Sequence, residues 1–444
     1  MSSLDVAELV DRIWARDPTV WTGTDEAAWL GWLDEPGRML ERLGELESLE
    51  RDFDDVVVLG MGGSSLAPEV LRRTFAVGRF HVLDTTHPSA VRALEAELDL
   101  ERTLFVAASK SGTTLETRCQ LDYFLDRGGT CAAITDPGSE LEQHARERGF
   151  AWVVAGEPTI GGRYSALSPF GMVPAVLMGL DVRTLLERAA AMAEWCRLGD
   201  ENPGAALGAQ LGDGWAEGRD KICFEDTPGG IGLWIEQLLA ESTGKEDKGL
   251  VPALGVSPEG IDRQPAAVRL DDPYDIGAEF FRWEFATAVA GSIMGLNPFN
   301  QPDVQAAKDR TTAILERGDV DLEPESSAEE LFAQAREGDY IAILAFIDPA
   351  RARELDPLVA RARDTGCVVT YGLGPRYLHS TGQLHKGGPG SILALQVVDD
   401  LGDELEIPGR KFGFRRLISA QARGDFEALK ERGRRVARVR LGEP

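Results

Sequence analysis

Two short stretches hold most of the residues able to do chemistry on a small anion. In "GMGGSS", Gly60 to Ser65, and "SKSGTT", Ser109 to Thr114, small residues, hydroxyls and one lysine cluster where a helix is about to start. Amides at a helix N-terminus point outward unpaired, and hydroxyls add donors, so such turns suit a phosphate monoester with its several oxygens and nearly two charges. Gly62, Gly63, Ser64 and Ser65 in the first, and Ser109, Lys110, Ser111, Gly112, Thr113 and Thr114 in the second, are the candidate contacts. Two further pairs sit at helical spacing. Gln237 and Glu241 lie four apart, and Gln301 and Lys308 seven apart, so each pair shares one helix face. A carboxylate such as Glu241 becomes a base near neutral pH only when burial raises its proton affinity.

The first stretch invites a dinucleotide reading, which the spacing argues against. The fingerprint needs a third glycine where this chain has Ser65, and Asp84, at about the distance of a ribose-binding acid, is a common strand-end residue. Neither loop has the spacing of a nucleoside triphosphate site. Each has an ordinary alternative, a glycine turn capping a helix or an exposed Ser/Thr turn. Likewise Glu241 could be a solvated helix-end acid, Arg163 a salt-bridge partner and Lys308 an exposed lysine.

The elements that must position these residues follow from patterning. "DVVVLG", "FHVLD", "TLFVAAS" and "CAAIT" are short apolar runs alternating with helical segments, as in a parallel sheet covered on both faces. A second series begins at "KICFE" and continues through "YIAILAFID", "CVVTYG" and "SILALQVV". The expected fold is therefore α/β, with two doubly wound parallel-sheet lobes and helical N-terminal and C-terminal extensions. Expected boundaries are 1–50 for the Trp-rich N-terminal helical extension, 51–205 for the first lobe with the phosphate loops, 206–405 for the second, and 406–444 for the C-terminal tail. The stretch "RLGDENPGAALG" is read as the separator. In open α/β sheets ligands collect at the carboxyl ends of strands where the winding reverses, so the two loops are expected to share one phosphate.

Composition limits the partners. With 444 residues, 43% of them hydrophobic, the chain can bury a large core. A formal net charge of −27 disfavours nucleic acid and anionic membranes, and obliges an anionic substrate to find a locally positive pocket. No signal peptide or membrane span is read, so the expected location is the cytoplasm. Five scattered cysteines form no disulfide framework and no metal-ligand spacing.

Taken in order, "GMGGSS", "SKSGTTLET", "GGRYSALSPFG", "EQLLAESTGK" and "NPFNQPDVQAAK" resemble the successive signatures of the glucose-6-phosphate isomerase (phosphoglucose isomerase) family, built from two sugar-isomerase (SIS) lobes. "YLHSTGQLHKGGP" and "ARGDFEALKERGRR" are similar to the isomerase half of fused transaldolase/glucose-6-phosphate isomerase proteins. The resemblance implies interconversion of glucose 6-phosphate and fructose 6-phosphate through an enediolate, without metal or organic cofactor. It implies Glu241 as the base, Gln237 as a substrate contact and Arg163 beside the enediolate. It also implies Gln301 near the phosphate, Lys308 near the ring oxygen, and a homodimer with the site near the subunit boundary. One departure stands out: no histidine lies between Glu241 and the Gln301–Lys308 segment, where the family carries a ring-opening histidine from the partner subunit. Of the chain's five histidines, His379 and His385 are the candidates, and His385 is favoured because its neighbouring glycines permit close backbone approach. The alternatives are a dual phosphoglucose/phosphomannose isomerase and a non-catalytic sugar-phosphate sensor.

Overall fold

The computed structural model describes residues 3–301, 311, 313–316, 318 and 322–442. Strands β1 (Asp55–Gly60), β2 (Phe80–Leu83), β3 (Thr103–Ala108), β4 (Thr130–Thr135) and β5 (Val153–Ala155) form a parallel sheet in the order β2-β1-β3-β4-β5. Both faces are covered, because alternate residues of β1 enter different cores: Val56 and Val58 one, Val57 and Leu59 the other. Helices α3 (Gly63–Thr74), α4 (Pro88–Glu97), α5 (Leu115–Asp126) and α6 (Glu140–Arg148) follow the first four strands in turn. The chain winds outward from β1 in one direction to β2 and in the other to β3. The switch point therefore lies between β1 and β3, the two strands that lead into the glycine- and hydroxyl-rich turns.

The N-terminal residues are helical, as their spacing predicts. Helices α1 (Ser3–Trp14) and α2 (Glu35–Glu47) flank three short 3₁₀ turns, and their tryptophans dock on α11 (Ile276–Met294). Trp14 stacks on Phe281 and Phe285, and Trp21 donates its indole N–H to Ala288 O at 2.8 Å. Between the first sheet and α11 run α7 (Pro169–Leu177), α8 (Val182–Trp195), α9 (Pro203–Ala216) and α10 (Gly232–Thr243). The second half of the supposed separator begins α9, capped by Asn202, whose side chain accepts from Ala205 N at 2.8 Å. Its Gly204, Gly208 and Gly212 repeat every four residues on one face. A Cβ at Gly208 would stand 2.5 Å from Ala286 O, so the glycines bring α9 hard against α11.

The second series of strands divides into two sheets. β6 (Lys221–Phe224), β7 (Val251–Leu254) and β8 (Arg263–Pro265) form a parallel three-stranded sheet in the order β7-β6-β8. β9 (Tyr340–Phe346), β10 (Val368–Leu373), β11 (Ile392–Val398) and β12 (Arg435–Arg440) form a parallel four-stranded one in the order β10-β9-β11-β12. β7 runs beside β10 without a ladder, and it carries Pro252, which has no N–H to give one. Helices α12 (Ala328–Phe332), α13 (Asp356–Arg363) and α14 (Gly382–Gly387) belong to this region. α15 (Phe414–Glu431) precedes the edge strand β12, so the C-terminal tail completes the sheet. Cys119, Cys131, Cys196 and Cys223 are buried and Cys367 is half-buried, all as free thiols. Among the described residues, no helix is long and apolar enough to cross a membrane.

Candidate functional site

Two turns at the switch point make the floor of the site. After β1 the chain turns through Gly62, at φ +55°, into α3. A Cβ on Gly62 would stand 2.5 Å from His379 O and 2.8 Å from Gln237 Nε2, and one on Gly63 only 1.9 Å from Gly162 O. Glycine here lets four segments meet: the β1 turn, the 3₁₀ turn Gly162–Tyr164, helix α10 and the 3₁₀ turn Arg376–His379. The amides of Ser64 and Ser65 bend back to Met61 O and Gly62 O, at 3.3 and 2.9 Å. After β3, Ser109 Oγ shares a 2.9 Å hydrogen bond with Thr114 Oγ1 and accepts from Gly112 N at 3.2 Å. Ser111 Oγ lies 2.9 Å from Thr113 Oγ1. The hydroxyls of this turn thus cross-link one another before α5 begins. Lys110 is differently engaged: its ammonium pairs with Asp136 and donates to Glu157 O at 3.1 Å and Pro158 O at 3.2 Å. Any phosphate would compete with Asp136 for it.

The reactive groups converge on the last turn of α10. Arg163 Nη1 approaches Glu241 Oε2 at 3.3 Å, and both residues are buried. Three further bonds fix the guanidinium, to Pro298 O at 3.2 and 2.8 Å and to Asn300 O at 2.8 Å. Gln237, one turn before Glu241 on the same face, donates to Glu241 Oε2 at 3.2 Å and to His379 O at 2.9 Å. Glu241 Oε1 has no partner among the described residues. Burial raises the Glu241 pKa above the ordinary carboxylate range, against the opposing pull of Arg163, His379 and Gln237. Gln301 directly follows the clamped loop and is exposed. Lys308 lies outside the described residues.

His385 is not where its expected role requires it. It is buried, with Nδ1 3.2 Å from Tyr340 Oη and Nε2 3.0 Å from Thr381 Oγ1, so both ring nitrogens are occupied. Burial, with Lys386 and Arg434 nearby, pushes its pKa down to about 3. It is a neutral core histidine. The other candidate, His379, is the one beside Glu241. It is half-buried, its carbonyl holds Gln237, and its Nε2 lies 2.8 Å from Glu116 Oε1. Nδ1 has no partner among the described residues.

Sequence reasoning passed over Glu116 and Lys245, although both lie inside quoted motifs. Glu116 sits in the first turn of α5, in "SKSGTTLET". Lys245, ending "EQLLAESTGK", is buried and donates to Asn297 O at 2.7 Å, Asn300 O at 2.8 Å and Asn300 Oδ1 at 3.0 Å. Together Arg163 and Lys245 hold the Asn297–Asn300 loop against the C-terminal end of α10. Among the described residues, no group of three or more histidine, cysteine or carboxylate side chains is arranged to hold a metal ion.

Residues 48–215 match the family model described as phosphoglucose isomerase. The chain is 26% identical to a glucose-6-phosphate isomerase of Gloeothece citriformis over 70% of this chain and 76% of that protein. It is 35% identical to one from Acaryochloris marina over 44% of this chain, which spans 40% of that relative. Among solved structures, a glucose-6-phosphate isomerase from Chlamydia trachomatis shares the fold at a TM-score of 0.51 and 20% identity, covering 70% of this chain and 78% of that one. Parallel α/β architecture and these relatives define an isomerase of the sugar-phosphate class. Within that class, the chain is similar to the phosphoglucose isomerases, whose family model it matches over residues 48–215.

Proposed function

We propose that this chain interconverts glucose 6-phosphate and fructose 6-phosphate through an enediolate, with Glu241 moving the proton between C2 and C1. The observation that carries this reading is the buried pair of Glu241 and Arg163, 3.3 Å apart, where the turn after β1 meets α10 and the turns bearing Arg163 and His379. The phosphate lies against Gly63, Ser64, Ser109, Ser111 and Thr114, with Lys110 exchanging Asp136 for it and Gln301 at the rim. Glu241 Oε1, without a partner among the described residues, takes the proton from C2 and returns it to C1. The guanidinium of Arg163 is already held by Pro298 and Asn300, so it meets the charge that develops on the enediolate without reorganising. Gln237 holds Glu241 in place and offers its amide oxygen, unpartnered among the described residues, to a sugar hydroxyl. His379, in place of His385, opens the ring: the proton leaving the C1 hydroxyl passes to Nδ1, and the ring oxygen is protonated in return. Lys308 is the expected donor to that oxygen. A cytoplasmic homodimer is the setting the family resemblance implies, and the acidic composition suits a soluble protein.

Assaying the protein and its Glu241→Gln variant with glucose, fructose and mannose 6-phosphates tests the reading. Turnover of the first two should fall by roughly 10²- to 10⁴-fold in the variant, the usual size of a positioned acid–base contribution, with sugar-phosphate binding retained. Undiminished turnover would remove Glu241 from the mechanism. Binding without turnover in the parent would mark a sensor, and equal use of mannose 6-phosphate a broader isomerase.

A further inference from the structure

Behind the buried edge of His379 a line of side-chain hydrogen bonds leads to the C-terminal helix. Glu116 Oε1, 2.8 Å from His379 Nε2, also accepts from Gln421 Nε2 at 2.6 Å. The amide oxygen of Gln421 accepts in turn from Thr86 Oγ1 at 2.9 Å. Glu116, Gln421 and Thr86 are 5%, 3% and 0% exposed, so water does not share these bonds. One turn further along α15, Asp425 takes the hydroxyl of Tyr377 at 2.6 Å and the ammonium of Lys386 at 2.5 Å, pinning both flanks of the His379 segment.

We propose that Gln421 is a positioning residue for His379, acting through Glu116. The inference rests on the ring-opening role given to His379 above. An amide has two unlike ends. With its oxygen committed to Thr86, only its N–H₂ can face Glu116, and a fixed donor holds that flexible carboxylate in one place. The carboxylate then keeps the imidazole N–H on Nε2 and leaves the Nδ1 lone pair toward the crevice. The C-terminal helix thereby fixes the tautomer and the aim of a group on a distant turn.

Steady-state kinetics of Gln421→Met, made alone and in a His379→Ala background, tests this, with Thr86→Val as a near-isosteric second variant. Gln421→Met should lower kcat on the order of tenfold at nearly constant KM, and by less than about twofold once His379 is gone, because residues acting through one group are not additive. Thr86→Val should lose about two- to threefold, and nothing further beside Gln421→Met. The same fractional loss with and without His379, or full activity in both single variants, would overturn the inference while leaving the proposed isomerase standing. Full activity of His379→Ala would overturn both this inference and the ring-opening assignment.

Discussion

At the scale of single residues, the site depends on Glu241 being buried beside a cation that only partly offsets the burial. Its raised pKa means that the protonated form, which cannot act as the proposed base, persists to higher pH than in an ordinary carboxylic acid. The acid limb of kcat/KM should therefore fall above pH 4.5, with activity rising as pH rises through it. Arg163 favours the charged carboxylate, so Arg163→Gln should move that limb further upward, besides slowing turnover. A limb that stays put or moves down would show that the two groups are uncoupled. The histidines give a second contrast: His379→Asn should cut turnover of the cyclic sugars, whereas His385→Phe should leave kcat near the parent value and be read in thermal unfolding. That Gln237 and Glu241 share a helix face was legible from their spacing, and that Arg163 lies with them from the order of the motifs. The choice of histidine was not, because flanking glycines reveal backbone freedom and say nothing about whether an imidazole is already hydrogen-bonded by a tyrosine and a threonine.

At the scale of elements, the tightest joint is between the turn after β1 and the 3₁₀ turn bearing Arg163. A methyl group at Gly63 would overlap Gly162 O, so Gly63→Ala must push Arg163 away from Glu241. Calorimetric titration with inorganic phosphate should show weakened binding, and Tm should drop with a loss of a few kcal/mol, typical of an overpacked contact. Unchanged values would mean that the joint is looser than drawn. The first sheet was legible because continuous apolar runs demand cover on both faces. The division of the later strands into two sheets was not, since β6 and β9 both carry short apolar runs and ladder partners are chosen by distant sequence. Nor was α9: a glycine- and proline-containing stretch reads as a break until the glycines are seen every fourth residue against α11.

At the scale of the whole molecule, folding buries acids as well as apolar groups. Glu35, at the start of α2, is 3% exposed, and its pKa is raised from 4.5 to about 7 by burial despite its pairing with Arg38. The folded chain holds this proton at pH values where the unfolded chain has released it. Stability should accordingly decline as pH climbs from about 4.5 to about 7 and level off above. Glu35→Gln should lack that slope and be the more stable form at pH 8, by at most on the order of 3 kcal/mol, as read by urea denaturation across pH. A parallel pH dependence in both proteins would exclude Glu35 as the source.

The descent of His379 from the same polypeptide as Glu241 has one more implication. Mixing the Glu241→Gln and His379→Ala proteins, each crippled in one group, should yield no heterologous rescue, because neither can lend the other a side chain that each keeps within its own fold.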